Sequence, residues 1–300
     1  MTDEWRRANR ANWDERVAIH LASPMYDQTA LRTGDVRLDP LIDAELGDVA
    51  GLRVAHLQCH FGMDSLRLAM RGARVVGLDF SAPAIEAART LAAELGIPAR
   101  FVQADIYDAP TALADEKSFD LVYVSWGALP WLPDIAGWAR VVAALLKPGG
   151  ALYLAEGHPI AWAYDDRVGD ANGRPGLFLP YLDPTPFIED DATDYADPNA
   201  RLQNTRTHQF LHRLDAVISA LIAAGLAIEF LHEHPRVAWQ MFRCLTQRDD
   251  GMWHWPDRPW LPLSYSLRAR RSLATSSTPD AKIVPAPIQT GKDGMSPKIT

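Results

Sequence analysis

The chain has 300 residues, 48% hydrophobic and 23% charged, which suits one sizeable globular domain with elaborations rather than two equal domains. A formal net charge of −8 argues against a general nucleic-acid binder, which would carry a basic face, and no apolar run approaches the ~20 residues that span a bilayer. The opening MTDEWRRANRANWDERV lacks an apolar h-region, and Cys59 and Cys244 form neither a metal-ligand spacing nor a disulfide framework, so a cytoplasmic protein without a metal centre is expected.

In chain order, residues 4–22 mix Trp5, Trp13, Val17, Ile19 and Leu21 with Arg, Asn and Glu. This predicts one or two amphipathic helices, ended by Pro24, within an N-terminal helical cap over residues 1–35. Tyr26 and Trp13 are read either as surface packing or as part of a lid over a ligand pocket. Asp39 with Pro40 opens a short helix carrying Leu41, Ile42 and Leu46 on one face.

The segment VAHLQCHFGMDSLRLAMRGARVVGLDFS, residues 54–81, then organises the chain. It reads as an apolar strand, the turn Gln58–Gly62, a helix ended by Gly72, and a second strand closed by Asp79. Strand, helix and strand within about 30 residues make a parallel βαβ unit, whose ligand lies where the first turn meets the acid ending the second strand. Further strands are expected at 99–103, 119–124 and 151–155, with helices at 84–95 and 138–146 between them. Alternating β and α with apolar strands predicts a doubly wound, mostly parallel α/β sheet.

The order of motifs resembles the class I S-adenosylmethionine-dependent methyltransferases over residues 51–159. HLQCHFG stands at the first motif, GLDFS at the second, QADIYD at the third, FDLVYVSWGALPWL at the fourth, and LLKPGGALYLAEGHP leads through the fifth strand. The resemblance is to a branch whose first motif takes an LQCHFG-like form. It implies a Rossmann-like sheet of seven strands and S-adenosylmethionine as cofactor. Asp79 would bind the ribose hydroxyls and Asp105 the adenine amino group, with Ile106 packed on the ring. Ser125 and Trp126 would face the methionine end, and Tyr26, Gln58, Cys59, His60, Gly62 and Phe80 complete the expected contacts. The chain departs from the family where Gln58 and His60 replace glycines, which puts the geometry of that turn in question.

Beyond residue 159 an acidic, proline-rich insertion (160–205) is read as a solvated loop, a lid or a hairpin. A helix at 212–224 and strands at 226–233 and 263–270 would close the sheet, so the methyltransferase domain would span 36–271. The loop holding Trp239, Trp253, Trp255 and Trp260 is read as a pocket lining for an apolar or planar substrate or as an edge cover, with a homodimer as an option. Residues 272–300, poor in bulk, read as a disordered tail. His158 is the first candidate for a general base, followed by His212 and Glu156, with His208, His60 and Tyr26 also in reach. Three functions follow: methyl transfer to O, N or C of a small molecule, a non-methylating reaction on the same cofactor such as a cyclisation, or nucleotide binding without catalysis.

Overall fold

The computed structural model describes residues 3–116 and 118–273. Most of the expected tail lies outside the described residues. The chain begins with one helix, α1 (Glu4–Ala22), where one or two were expected. Its buried stripe is largely polar: Asn9, Asn12, Arg16 and His20, spaced 3, 4 and 4 residues apart, with Val17 beside them. These positions share one helical face. Asn9 explains why polar residues point inward: its Nδ2 donates to the carbonyl of His208 and its Oδ1 accepts the N–H of His208, both at 2.8 Å. Asn12 and Glu15 bind the backbone at Asn204 in the same way, so α1 is zipped to a distant edge by hydrogen bonds.

The central sheet is built from β1 (Arg53–Leu57), β2 (Arg74–Asp79), β3 (Ala99–Gln103), β4 (Phe119–Ser125), β5 (Leu146–Gly157), β6 (Leu226–His234) and β7 (Ser264–Arg271). Its order is β6-β7-β5-β4-β1-β2-β3. Strands β3, β2, β1, β4 and β5 run parallel, while β7 pairs antiparallel with both β5 and β6. This is the doubly wound sheet the sequence predicts. Helices α2 (Pro40–Glu45) and α3 (Met63–Met70) cover one face; α5 (Ile135–Leu145) and α6 (Leu214–Ala223) cover the other, and α4 (Ala82–Leu95) follows β2.

Side chains alternate between the faces along each strand, as the pleat requires. Ala55, Val122, Val124, Leu152 and Leu154 pack under Trp138 and Val142 of α5 and Val217 and Leu221 of α6. Val54, Leu121, Tyr123 and Tyr153 pack under Leu41 and Ile42 of α2 and Leu68 of α3. Helix α4 starts at an N-cap, with Ser81 Oγ accepting the N–H of Ala84 at 3.3 Å, and stops at Gly96 with φ 64°.

Within the insertion Tyr164–Asp165 pairs antiparallel with Gly176–Leu177, and Phe187–Asp190 pairs antiparallel with Arg206–Gln209 just beyond it. The Trp-rich segment is a small three-stranded sheet of two-residue strands, too short to show a period in the sequence. Trp255 and Phe242 are buried in it, and Trp239 packs edge-on to Trp126 with centroids 5.8 Å apart. This satellite core turns the aromatics inward. Among Trp239, Trp253, Trp255 and Trp260 only Trp260 is exposed. Among the described residues no helix is long and apolar enough to cross a membrane, and no cluster of three His, Cys, Asp or Glu side chains could hold a metal ion.

Candidate active site

The turn after β1 decides the geometry. Gln58 has φ 54°, His60 φ 52° and Gly62 φ 79°, so three alternate residues are left-handed. A non-glycine residue adopts that conformation at a cost of about 1–2 kcal/mol. The conformation glycine would supply is therefore kept at Gln58 and His60, and side chains are added to it. At Gly62 no side chain fits, because a Cβ would lie 2.6 Å from the ring of Phe101. Gln58 donates from Nε2 to the carbonyl of Ala128 at 2.7 Å, while its Oε1 is buried without a partner. Cys59 turns the other way, into the cluster of Leu66, Ile85 and Phe101. Burial pushes its thiol pKa well up, so only its backbone faces the ligand side.

Asp79, 6% exposed, closes β2 beneath this turn. Its Oδ2 accepts the N–H of His60 at 2.8 Å and its Oδ1 the N–H of Ser81 at 2.9 Å. Burial raises its pKa to about 6, and the nearby carboxylate of Asp14 on α1 adds to the rise. Asp105 uses Oδ1 to cap Tyr107 at 3.0 Å, and Arg6 of α1 places Nε 2.8 Å from its Oδ2. Ile106 is buried in the core beside it, and the guanidinium of Arg10 lies 5.7 Å above the ring of Phe80. Tyr26 stacks on His20 and bonds Tyr195 through its hydroxyl at 2.6 Å; burial pushes its pKa up to about 12. Tyr26, His60 and Asp79 thus meet at the carboxyl ends of β1 and β2 beside α1, whereas Ile106 is packed in the core and Trp126 against Trp239.

Two acids at this edge were not foreseen. Asp64, in the first turn of α3, accepts from Tyr123 Oη at 3.1 Å and Ser125 Oγ at 3.3 Å. Asp14 has a buried Oδ1 without a partner. The signal for Asp64 was present, as an acid just after Gly62 at a helix start. Nothing in the sequence marked Asp14.

Trp126 continues β4 with φ 38°, and its indole N–H is buried without a partner. The following residues are held by Glu156, 2% exposed. Its Oε1 accepts from the N–H of Gly127 and Gly157, each at 2.7 Å, and its Oε2 from Ala128 at 2.7 Å and Leu129 at 3.0 Å. Four backbone donors fill the four lone-pair sites of a carboxylate. Glu156 is thereby corrected from candidate base to the clamp of the 127–129 turn.

Next to that clamp lies a cavity of about 210 Å³, lined by Leu129, Pro130, Glu156, Trp162, Phe187, Phe210, His212 and Tyr265 among others. His158 is not among its lining residues. Its Nδ1 accepts the N–H of Ile160 at 3.1 Å, capping the turn Pro159–Trp162, and its Nε2 faces Oε1 of Glu233 at 2.9 Å. The first-choice base thus spends Nδ1 on this cap and lies outside the cavity, with Nε2 near an exposed carboxylate. His212 is arranged differently. Its Nε2 lies 2.6 Å from the carbonyl of Leu132 and must carry the proton, which leaves the lone pair on Nδ1. Burial lowers its pKa, so the ring is neutral at pH 7.

The unpartnered buried atoms test whether S-adenosylmethionine fits. Gln58 Oε1 and Asp14 Oδ1 are acceptors, and Trp13 Nε1 and Trp126 Nε1 are donors. A cationic nucleoside with ribose hydroxyls and an amino-acid end supplies the matching groups. The residues fit.

A family model described as "Methyltransferase domain" matches residues 54–150. The chain is similar to a ubiquinone biosynthesis O-methyltransferase of Aeromonas salmonicida, with 31% identity over 120 residues, 40% of this chain and 49% of the relative. The chain spans about half the length of the curated relatives it matches. Among solved structures it resembles an S-adenosylmethionine-dependent methyltransferase from Mesorhizobium loti (TM-score 0.54, 27% identity, 77% of this chain and 96% of that one). It also shares the fold of magnesium protoporphyrin IX methyltransferase from Synechocystis, solved with bound SAH (TM-score 0.53, 18% identity, 89% of this chain and 99% of that one). The matched segment contains the turn, Asp79, Asp105 and Trp126. Glu156, His212 and most of the cavity lining lie outside it, while Leu129 and Pro130 lie within it.

Proposed function

We propose that the protein is an S-adenosylmethionine-dependent methyltransferase whose acceptor is a small molecule. One observation carries this reading: residues 125–130 form a single wall between two sites. Ala128 receives the hydrogen bond from Gln58 of the cofactor turn, while Leu129 and Pro130 line the cavity. A cofactor and an acceptor on either side of one rigid segment meet at its end, and such placement supplies much of the rate of a displacement reaction. When bound, the cofactor supplies an electrophilic methyl group on a sulfonium. This chain's residues hold it, exclude water and manage the acceptor's proton. The cavity's apolar lining supports an acceptor with an apolar or planar body. The neutral Nδ1 of His212 supports a role as general base for a hydroxyl or amine. The finer placement in the branch with an LQCHFG-like first motif is supported by the left-handed Gln58 and His60.

Calorimetry with S-adenosylhomocysteine tests the cofactor site, and a panel of small hydroxyl and amine acceptors with methyl-labelled cofactor tests transfer. Label in the product is expected. His212→Ala should lower turnover about 10²–10⁴-fold with cofactor affinity nearly unchanged. Product without label would sink methyl transfer, and wild-type turnover in the variant would remove His212.

A further inference from the structure

Three segments far apart in the chain meet in one buried line of hydrogen bonds beside the cofactor turn. Asp194, in the 160–205 insertion, is 3% exposed. Its Oδ1 accepts the N–H groups of Ala196 at 2.7 Å and Asp197 at 3.3 Å. Its Oδ2 receives Nη1 of Arg16 at 2.7 Å and lies 3.1 Å from Nε2 of His20 on α1. His20 in turn places Nδ1 3.3 Å from Nε2 of His60. Trp13 stands edge-on to both imidazoles, with centroids 5.9 and 5.7 Å away.

The proton positions follow from the chain of acceptors. A carboxylate only accepts, and Arg16 and His20 keep that of Asp194 ionised although burial opposes it. His20 therefore carries its proton on Nε2. As a neutral imidazole His20 offers Nδ1 as acceptor, and in that arrangement the proton of His60 sits on Nε2 and its lone pair on Nδ1. Burial drives the pKa of His60 down to about 3, so the ring stays neutral. His60 also holds a left-handed backbone that a glycine would adopt freely, and such residues cluster where the side chain has a task. Its surroundings point to a donor as the missing partner: Gln58 Oε1 of the same turn is an unpartnered buried acceptor, and the backbone N–H of His60 already serves Asp79.

We propose that Asp194, acting through His20, is a positioning residue that holds the imidazole of His60 with Nδ1 as an acceptor for the ammonium at the amino-acid end of the cofactor. This rests on the reading of the protein as an S-adenosylmethionine-binding enzyme. It makes cofactor binding depend on the insertion, since Asp194 lies some 130 residues beyond the turn it orients.

Two ligands separate this role from a structural one. S-adenosylhomocysteine carries the amino-acid end; 5′-deoxy-5′-methylthioadenosine has the same nucleoside and sulfur without it. By calorimetry, Asp194→Ala should weaken S-adenosylhomocysteine at least tenfold and leave methylthioadenosine within twofold. Asp194→Asn, which keeps an acceptor toward His20, should restore most of the loss. His60→Gly, suited to the left-handed backbone, should match Asp194→Ala, and the double variant should be no worse than His60→Gly; if Asp194→Ala does not fold, His60→Gly carries the same comparison. Equal losses for both ligands, or no loss for S-adenosylhomocysteine, overturn the relay while leaving the enzyme reading intact. Failure of the wild-type protein to bind either ligand overturns the cofactor reading, and the relay with it.

Discussion

The backbone N–H of His60 donates to Oδ2 of Asp79 across 2.8 Å, so the acid that ends β2 also fixes the turn that ends β1. Position and charge of the carboxylate are thereby tied to the left-handed run at Gln58, His60 and Gly62.

Asp79 should make cofactor affinity depend on pH. Its pKa is raised from 3.8 to about 6, chiefly by burial. In the free protein the folded state binds this proton more tightly than the unfolded chain does. The group thus contributes about 3 kcal/mol that is present below pH ~4 and lost as pH rises through 6. Ribose hydroxyls donate to the ionised form, so bound cofactor opposes protonation. Affinity for S-adenosylhomocysteine should weaken by up to about tenfold per unit below pH 6. Asp79→Asn should weaken binding about 10–100-fold at pH 8 and flatten the profile, as loss of charge-assisted hydrogen bonds predicts. An unchanged profile in the variant would place the titration elsewhere.

Glu156 gives a test that separates clamp from catalyst. Replacing it by Gln leaves one acceptor oxygen and turns an amide donor toward backbone N–H groups of the 127–129 turn. Each buried donor left unpaired costs about 1–3 kcal/mol, so the variant should unfold at lower temperature and lose both cofactor affinity and turnover, because the shared wall loosens. Normal stability with turnover alone abolished would restore Glu156 as a proton carrier.

The sequence made the sheet legible because its strands are apolar on both faces and its helices punctuated by Ser81, Gly72 and Gly96. The boundaries that slipped are physical ones: β5 starts at Leu146, which pairs with Phe119, and Lys147–Gly150, with Gly149 at φ 77°, bulge out before pairing resumes at Ala151. Asp79 and Asp105 could be placed from the strand order. The cap could not, since the stripe that buries α1 is Asn9, Asn12, Arg16 and His20, and polar residues at helical spacing read as solvent-facing until their partners at residues 194–208 are known. For the same reason His158 outranked His212. Both follow or face a strand end, and only the structure shows that His158 caps the 159–162 turn away from the cavity while His212, with Nε2 on the carbonyl of Leu132, is among its lining residues.

The cap also makes a prediction about entry. Arg6 Nε sits 2.8 Å from Oδ2 of Asp105, the carboxylate proposed to receive the adenine amino group. Cofactor must share or displace that contact, and Arg6, with its side chain 34% exposed, can swing into solvent. An ion pair of this exposure is worth about 0–1 kcal/mol, so removing it has a small and signed effect. Arg6→Ala should tighten S-adenosylhomocysteine by up to about fivefold, mainly through faster association in stopped-flow fluorescence of Trp5 and Trp13. Asp105→Ala should weaken it about tenfold, and adding Arg6→Ala to that variant should change nothing further. Weaker binding in Arg6→Ala would mean that the arginine holds the cofactor rather than its place.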